Sequence, residues 1–480
     1  MTDELIKVAE DSARGGFFLI SGTALSTMIM AVSSILIGRF LGPELYGQYT
    51  IAIVTPQLLF LFTDLGINQG VIKFTASLRS KGEADRIPQI IKYGLILRVS
   101  TGIAISIINY VLADLFASLL LQRPDLAFYI RIASISVLFQ AMFTTVTSAF
   151  VGLDKTEYSA LTANIQATAK AIISIALVLL GFSVAGAVIG YTAGYVVAAV
   201  LGIAMLLLLL RGKQKNKNGN SVSGDIKILI IYGAPLYISV LLNGFIPLYQ
   251  NVILAIYTTD ADIGNYKAAT NFVALMSILA VPITTTLLPA FSKLNHSTNE
   301  KVKRFYRLAN KYTAMIIIPI TFLIIIFSQE IVEVIYGSTY ESASMFLATY
   351  CLLYFLVGIG YLVLPSLYNG LDQTKTTLKM SLITFLMLAV LSPILAKTYG
   401  VQGLIIAFLT ASTAGTTYGL YIARKTFKIE LDIQIQLKIY LNSAISSILP
   451  FLVLHFTQLP KILDIAIGGL IYLFTYVTLS

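Results

Sequence analysis

Of the chain's 480 residues, 57% are hydrophobic and 12% charged, and the mean hydropathy is +0.83. Soluble domains carry about 25% charged residues, so most of this chain cannot face water, and the class that remains is a polytopic membrane protein. The net charge of +10 does not indicate a nucleic-acid partner, because Lys and Arg gather in alternate loops between apolar runs.

Those runs measure about 18 to 25 residues each, enough to cross roughly 30 Å of hydrocarbon. In chain order they fall near 16–38, 46–66, 91–113, 127–150, 159–181 and 184–210, then 228–252, 263–288, 308–328, 343–368, 377–396, 400–423, 437–457 and 461–480. An all-α protein of about fourteen transmembrane helices is expected. The alternating ten-residue segments of a membrane β-barrel are absent. Ahead of the first run stand Asp3, Glu4, Lys7, Glu10, Asp11 and Arg14. That run is too long for a signal-peptide core, and no small-residue cleavage site follows it. The first two runs are joined by RFLGPELYGQYTIA (39–52), in which Gly42-Pro43 ends one helix and Gly47 loosens the turn into the next. The last run reaches Ser480 without a basic tail, so the C-terminus is read as cut or minimal.

The basic clusters are Arg79/Lys81/Arg86/Lys92, Arg211/Lys213/Lys215/Lys217, Lys301/Lys303/Arg304/Arg307/Lys311 and Arg424/Lys425/Lys428. The intervening loops hold little beyond Arg39, Arg123, Lys397 and Lys461. This positive-inside bias puts both termini in the cytoplasm, in keeping with an even number of spans. The sequon Asn295-His296-Ser297 then lies in a cytoplasmic loop, where glycosylation is not expected. The single cysteine, Cys351, falls inside a run, which excludes an intramolecular disulfide.

Three pairs of stretches define an internal repeat. Tyr-Gly-Gln-Tyr (46–49) is echoed by Ile-Gly-Asn-Tyr (263–266), and VAGAVIGYTAG from Val184 by VQGLIIAFLTA from Val401; both offsets are 217 (264 − 47 and 401 − 184). VGLDKT from Val151 is echoed by NGLDQT from Asn369, an offset of 218 (369 − 151). The offset spans six helices, so the copies share one orientation and are parallel repeats. The expected division is an N-terminal six-helix lobe (1–212), a polar cytoplasmic linker (213–225), a C-terminal six-helix lobe (226–424) and two extra helices (425–480), with a central cavity between the lobes.

RFLGPELYGQYTIA, the following LFTDLGINQGVIKF (61–74) and the NGLDQTK…YGVQGLIIAFLTAS region resemble the polysaccharide-transporter flippases of the multidrug/oligosaccharidyl-lipid/polysaccharide exporter superfamily. The elements that carry the likeness are Arg39, Leu41-Gly42, Tyr46-Gly47 and Asp64-Leu65-Gly66. The resemblance implies an exporter that flips a lipid-linked oligosaccharide, a polyprenyl-(pyro)phosphate-linked glycan, across the cytoplasmic membrane by alternating access. Its partners would be that substrate, membrane lipids and other glycan-assembly proteins.

The chain has no phosphate-binding G-x-x-x-x-G-K-[ST] loop, no H-E-x-x-H and no G-x-S-x-G. Its two histidines, His296 and His455, lack metal-ligand spacing, and no loop is long enough for a catalytic domain. An enzyme, a cofactor and a metal site are not expected.

Ionisable groups within spans are costly and therefore candidate functional residues. Lys170 lies deepest, eleven residues or about 16 Å into its helix. Thr162, Gln166, Lys170 and Ser174 share one face at i, i+4 spacing, a stripe that suits a wet cavity or a polar partner helix. Arg98 and Arg131, shallower from the inner and outer sides, Arg39 at the outer mouth of the first helix and Lys267 at the outer start of the eighth are further cavity candidates; the first two are also explained by snorkelling and Arg39 by a plain interfacial anchor. Asp64, near the inner end of the second helix, is either an ion-coupling carboxylate, a partner for a cation or an interfacial residue. Adding 217 carries Asp64, Arg98, Arg131 and Lys170 onto Val281, Met315, Ala348 and Met387, so the polar half of an anion site would belong to the first lobe. Pro56, Pro235, Pro247, Pro282, Pro319, Pro365 and Pro393 interrupt spans and permit kinks. The competing readings are a cation-coupled multidrug exporter, which calls for a deep carboxylate where this chain has cations, and a membrane enzyme of glycan assembly.

Overall fold

The computed structural model describes residues 2–211, 237, 241–242, 244–294, 298–456 and 460–479. The expected linker (213–225), Pro235 and the 295–297 sequon lie outside them. Among the described residues there is helix and no strand, as a chain in lipid requires when every backbone amide must be paired internally. Two compact units form, Met1–Leu41 with Leu45–Ile256, and Gly42–Glu44 with Tyr257–Ser480.

The first unit contains α1 (Thr2–Ala52), α2 (Val54–Leu61), α3 (Ile67–Ser80), α4 (Ile87–Val111), α5 (Ala127–Gly152), α6 (Thr156–Leu177) and α7 (Ser183–Leu210); α8 (Gly244–Tyr257) closes it. In the second unit come α9 (Asp260–Ser292), α10 (Asn299–Ile326), α11 (Ser328–Ile335), α12 (Ala343–Cys351), α13 (Val363–Gly370), α14 (Thr374–Phe427), α15 (Ile433–Ser446), α16 (Ile448–Phe456) and α17 (Lys461–Leu479). Each of the fourteen expected runs falls on helix over most of its described part. Eight of the described helices are long and apolar enough to cross a membrane, or nine if the bent pair Ala343–Ile359 and Val363–Gly370 is one span. Three of those eight, Phe18–Leu61, Thr156–Leu210 and Thr374–Phe427, each hold two expected runs.

The structure departs from the expected boundaries in instructive places. The connection expected over 39–52 shrinks to one residue: helix continues through Leu41, Gly42 takes φ 76° and ψ 171°, and helix resumes at Pro43. Glycine accepts the positive φ, and proline begins a helix at no hydrogen-bonding cost. The second run, expected to reach residue 66, stops at Leu61; after a break comes α3, which hydropathy misses because it carries Lys73 and Arg79. Its apolar face, Ile67, Val71 and Leu78, is buried with Ile91, Phe150 and Leu206 in the core of this unit. Pro56 and Pro365 prove to be third residues of short helices rather than interior kinks, where the missing amide is not needed. Pro282, Pro319 and Pro393 are interior.

The repeat is visible in the backbone. Asp154 and Asp372, at the sequence offset of 218, both turn left-handed, with φ 59° and 57°. Ser183 (φ 52°, ψ −132°) and Gly400 (φ 55°, ψ −133°), 217 apart, make the same unusual joint between two helices.

Candidate functional site

The break between α2 and α3 sets up the first cluster. Leu65 and Gly66 follow one another at φ 47° and 82°, which reverses the chain locally and leaves the first amides of α3 without helical partners. Asp64 Oδ1 accepts one of them, from Asn68 N at 3.0 Å, a favourable place for a carboxylate at the positive end of a half-helix. Arg98, near the middle of α4, reaches the same break and is fully buried (0% exposed). Its three nitrogens are used separately: Nη1 donates to Thr63 Oγ1 at 2.6 Å, Nη2 to Thr144 Oγ1 at 2.9 Å and Nε to Thr145 Oγ1 at 3.3 Å. Asp64 Oδ1 lies 3.9 Å from Nε, and the guanidinium stands 5.5 Å from the centre of the Phe60 ring. Thr145 donates onward to Asn68 Oδ1 at 3.0 Å. Asp64 and Arg98, separate candidates in the sequence, therefore form one unit, between the break that follows α2 and the middle of α4.

Lys170 belongs to the second cluster. The stripe Thr162, Gln166, Lys170 and Ser174 is buried along its whole length, and the helix it meets is α7. A glycine seam makes that approach possible: a Cβ at Gly194 would lie 2.8 Å from Lys170 Cβ and 3.0 Å from the Gln166 carbonyl, and one at Gly202 3.0 Å from Thr162 Cγ2. The ammonium, on a side chain 7% exposed, sits 5.6 Å from the Tyr191 ring centre, an attraction that strengthens where water is excluded. Tyr191 packs edge-on to Tyr195 at 5.3 Å and its hydroxyl accepts from Gln57 Nε2 at 3.3 Å. Gln166 Nε2 and the Tyr49 hydroxyl are buried with no hydrogen-bond partner among the described residues, so this interior has polar capacity to spare.

The other candidates are not drawn into either cluster. Arg131 pairs with Asp114, both partly exposed. Arg39 is exposed three residues before the Gly42 break. Lys267 is half-buried in α9 of the second unit, whose core is apolar and aromatic around Tyr306, Leu364, Tyr368 and Leu420. The sequence reading passed over Thr63, Asn68, Thr144, Thr145, Gln57, Tyr49, Tyr191 and Tyr195. A signal existed for some: Thr144-Thr145 and the i, i+4 pair Tyr191/Tyr195 are polar groups inside otherwise apolar runs.

Residues 12–295 match the family described as polysaccharide biosynthesis protein. The chain belongs to this family. A relative from Haloferax volcanii, described as the probable low-salt glycan biosynthesis flippase Agl15, is 24% identical to this polysaccharide biosynthesis protein over 218 residues. The match covers 45% of the chain and 44% of the relative, so less than half the length of that curated protein is spanned. Among solved structures, the lipid II flippase MurJ in an inward closed conformation superposes with a TM-score of 0.77 at 21% identity, covering 96% of this chain and 98% of that one. An inward-facing multidrug resistance MATE family transporter of the MOP superfamily gives 0.69 at 18% identity, with 84% and 94% covered. A MOP superfamily transporter from Pyrococcus furiosus, described by the reverse polarity of its binding pocket, gives 0.59 at 18%, with 87% and 95% covered. At these identities the likeness is one of fold.

Proposed function

We propose that this polysaccharide biosynthesis protein is a flippase that carries a polyprenyl-(pyro)phosphate-linked oligosaccharide across the cytoplasmic membrane. It works with fourteen spans, both termini in the cytoplasm, and alternating access between two six-helix lobes (1–212 and 226–424) joined by a cytoplasmic linker (213–225), with two added helices (425–480). The protein performs no covalent chemistry on the glycan. The observation that carries the reading is the burial of two cationic side chains, Arg98 and Lys170, inside the first unit of a chain of this family. A buried cation is costly in a membrane, and an anionic pyrophosphate is a group that offsets such a cost while it is being carried. Arg98 is already held by three threonines and Asp64, which assigns it to the frame of the site. Lys170, with Gln166 and Tyr49 alongside on buried faces, is the residue assigned to the substrate phosphate. Asp64, as cap and counter-ion, is better placed to hold the α2–α3 break than to bind a transported cation, which disfavours a cation-coupled multidrug exporter.

The test is flipping of a polyprenyl-pyrophosphate glycan in proteoliposomes together with thermal stability of the same samples. Lys170→Ala should abolish flipping with stability near that of the parent, and Lys170→Arg should keep part of the activity, since charge survives while geometry changes. A stable and fully active Lys170→Ala protein would remove the proposal.

A further inference from the structure

A second polar site lies in the other unit, at the charged end of α10. The helix changes character along its length, from NEKVKRFYRLANK to the apolar YTAMIIIPITFLIII, and beside that change is a cavity of about 380 Å³ between α10 and the start of α15. Lys303, Arg304, Arg307 and Lys311 bring four cations to its wall, against Glu300, Glu430 and Asp432. Two of the acids are otherwise engaged: Asp432 Oδ1 accepts Ile435 N at 3.2 Å and caps α15, and Glu300 lies in the first turn of α10, where the helix dipole favours it. Glu430 is different. Its side chain is 70% exposed, yet Lys303 Nζ and Arg307 Nη2 hold its Oε2 at 3.1 and 3.0 Å. It occupies, from the solvent side, the spot where these cations best receive an anionic oxygen.

Two further groups mark the kind of ligand. Asn310, 2% exposed, donates Nδ2 to the Gly358 carbonyl at 2.9 Å, which leaves its Oδ1 an acceptor with no donor among the described residues. Gln436 Oε1, on the α15 wall, is buried and unpaired in the same sense. Buried acceptors of this kind ask for hydroxyl donors. A separate apolar groove of about 370 Å³ lies on the opposite face of α10, against α9, lined by Ile283, Leu287, Phe305, Tyr312 and Ile316, with Leu308 at the edge of both spaces. Phosphate and hydroxyls are thus provided for in the cavity, and the apolar length of α10 that follows it suits a hydrocarbon chain.

We propose that this cavity binds an anionic phospholipid whose phosphate replaces the Glu430 carboxylate on Lys303 and Arg307, whose headgroup hydroxyls reach Asn310 and Gln436, and whose acyl chain lies along the apolar length of α10 that follows the charged end. The site does not depend on the transport reading. Phosphate on a polyol is the shared chemistry of a lipid headgroup and a soluble sugar or glycerol phosphate, so the experiment separates the two. Purified full-length chain, stripped of phospholipid, is titrated with dioctanoyl phosphatidylglycerol, dioctanoyl phosphatidylcholine, glycerol phosphate and inorganic phosphate, with thermal midpoint and native mass spectrometry as readouts. Phosphatidylglycerol should bind saturably and raise the midpoint, and each other compound should bind at least tenfold more weakly. Arg307→Gln and Lys303→Gln should each weaken phosphatidylglycerol about tenfold or more, the loss of one charge-assisted contact. Glu430→Gln, an exposed change that leaves the fold intact, should tighten it severalfold by removing the internal competitor. Equal binding of phosphatidylglycerol and phosphatidylcholine, equal binding of glycerol phosphate and phosphatidylglycerol, or weaker binding in Glu430→Gln would each overturn the proposal.

Discussion

Replacing Arg98 by lysine keeps the charge and discards the geometry, so it isolates what the guanidinium does at the α2–α3 break. Three hydroxyls on two elements, Thr63 on the break and Thr144 and Thr145 on α5, each receive a different nitrogen. A lysine ammonium is a single point and satisfies one of these positions. Loss of two hydrogen bonds from a charged donor, at about 1.5 kcal/mol each, comes to about 3 kcal/mol, a change of roughly a hundredfold in the folding equilibrium. The 3.9 Å approach to Asp64 adds little to this difference, since the charge survives. The assay is the free energy of unfolding in mixed micelles titrated with dodecyl sulfate, for the parent, Arg98→Lys, Thr144→Val and the double variant. Thr144→Val alone should cost about 1.5 kcal/mol. The double variant should cost clearly less than the sum, because the Arg98–Thr144 bond is lost only once. An Arg98→Lys protein within about 0.5 kcal/mol of the parent, or strict additivity in the cycle, would refute the claim that these hydroxyls hold the break through the guanidinium.

Ser183→Gly should stabilise the protein by about 1 kcal/mol, because a serine held at φ 52° and ψ −132° is strained by about 1–3 kcal/mol and part of the gain is lost to glycine's freedom in the unfolded chain. Gly400→Ser should cost a similar amount despite ample space, the nearest atom to a new Cβ being Thr258 Cγ2 at 3.8 Å; opposite signs in the thermal midpoints would contradict the strain argument. Glu430 lies in the connection after α14, where the Lys303 hydrogen bond and charge hold its carboxyl below the usual glutamate value. A depressed carboxyl contributes stability above its unfolded-state value, about 4.3, and loses it as pH falls through the lower native one. The stability difference between parent and Glu430→Gln, followed by pH titration, should therefore be present at pH 6 and fade below about 4; a difference that grows on acidification would reverse the assignment.

How far the sequence discloses this fold depends on what kind of signal each part carries. Long apolar runs locate the helices, and the offsets of 217 and 218 locate the joints well enough that Asp154 and Asp372, Ser183 and Gly400 share their backbone angles. α3 escapes because its buried face is narrow and its lysine and arginine lower the average. The Asp64 break escapes for a related reason: two left-handed residues at the close of an apolar run leave no mark in hydropathy, so neither the turn nor the helix it starts is seen. Arg98 and Lys170 stand out because a charge in lipid is rare, whereas the threonines and tyrosines that receive them are uncharged and blend into their helices. The polar stripe of α6 is legible as a face; that it meets glycine backbone follows from Gly190, Gly194 and Gly202 only once α7 is known to lie against it.

That glycine seam has a mechanical consequence. Contact this close works as a key in a slot: turning α7 about its axis by one residue, about 100°, would bring Ala193 or Tyr195 into the space that Gly194 leaves against Lys170. Rotation of α7 against the seam is therefore resisted by side chains that the packed backbone leaves no room for. The pair is therefore held as one stiff beam, with the ammonium and the Tyr191 ring at a set spacing upon it, and bending in this stretch of chain is left to the joints at its described ends, the Asp154 turn and the Ser183 joint.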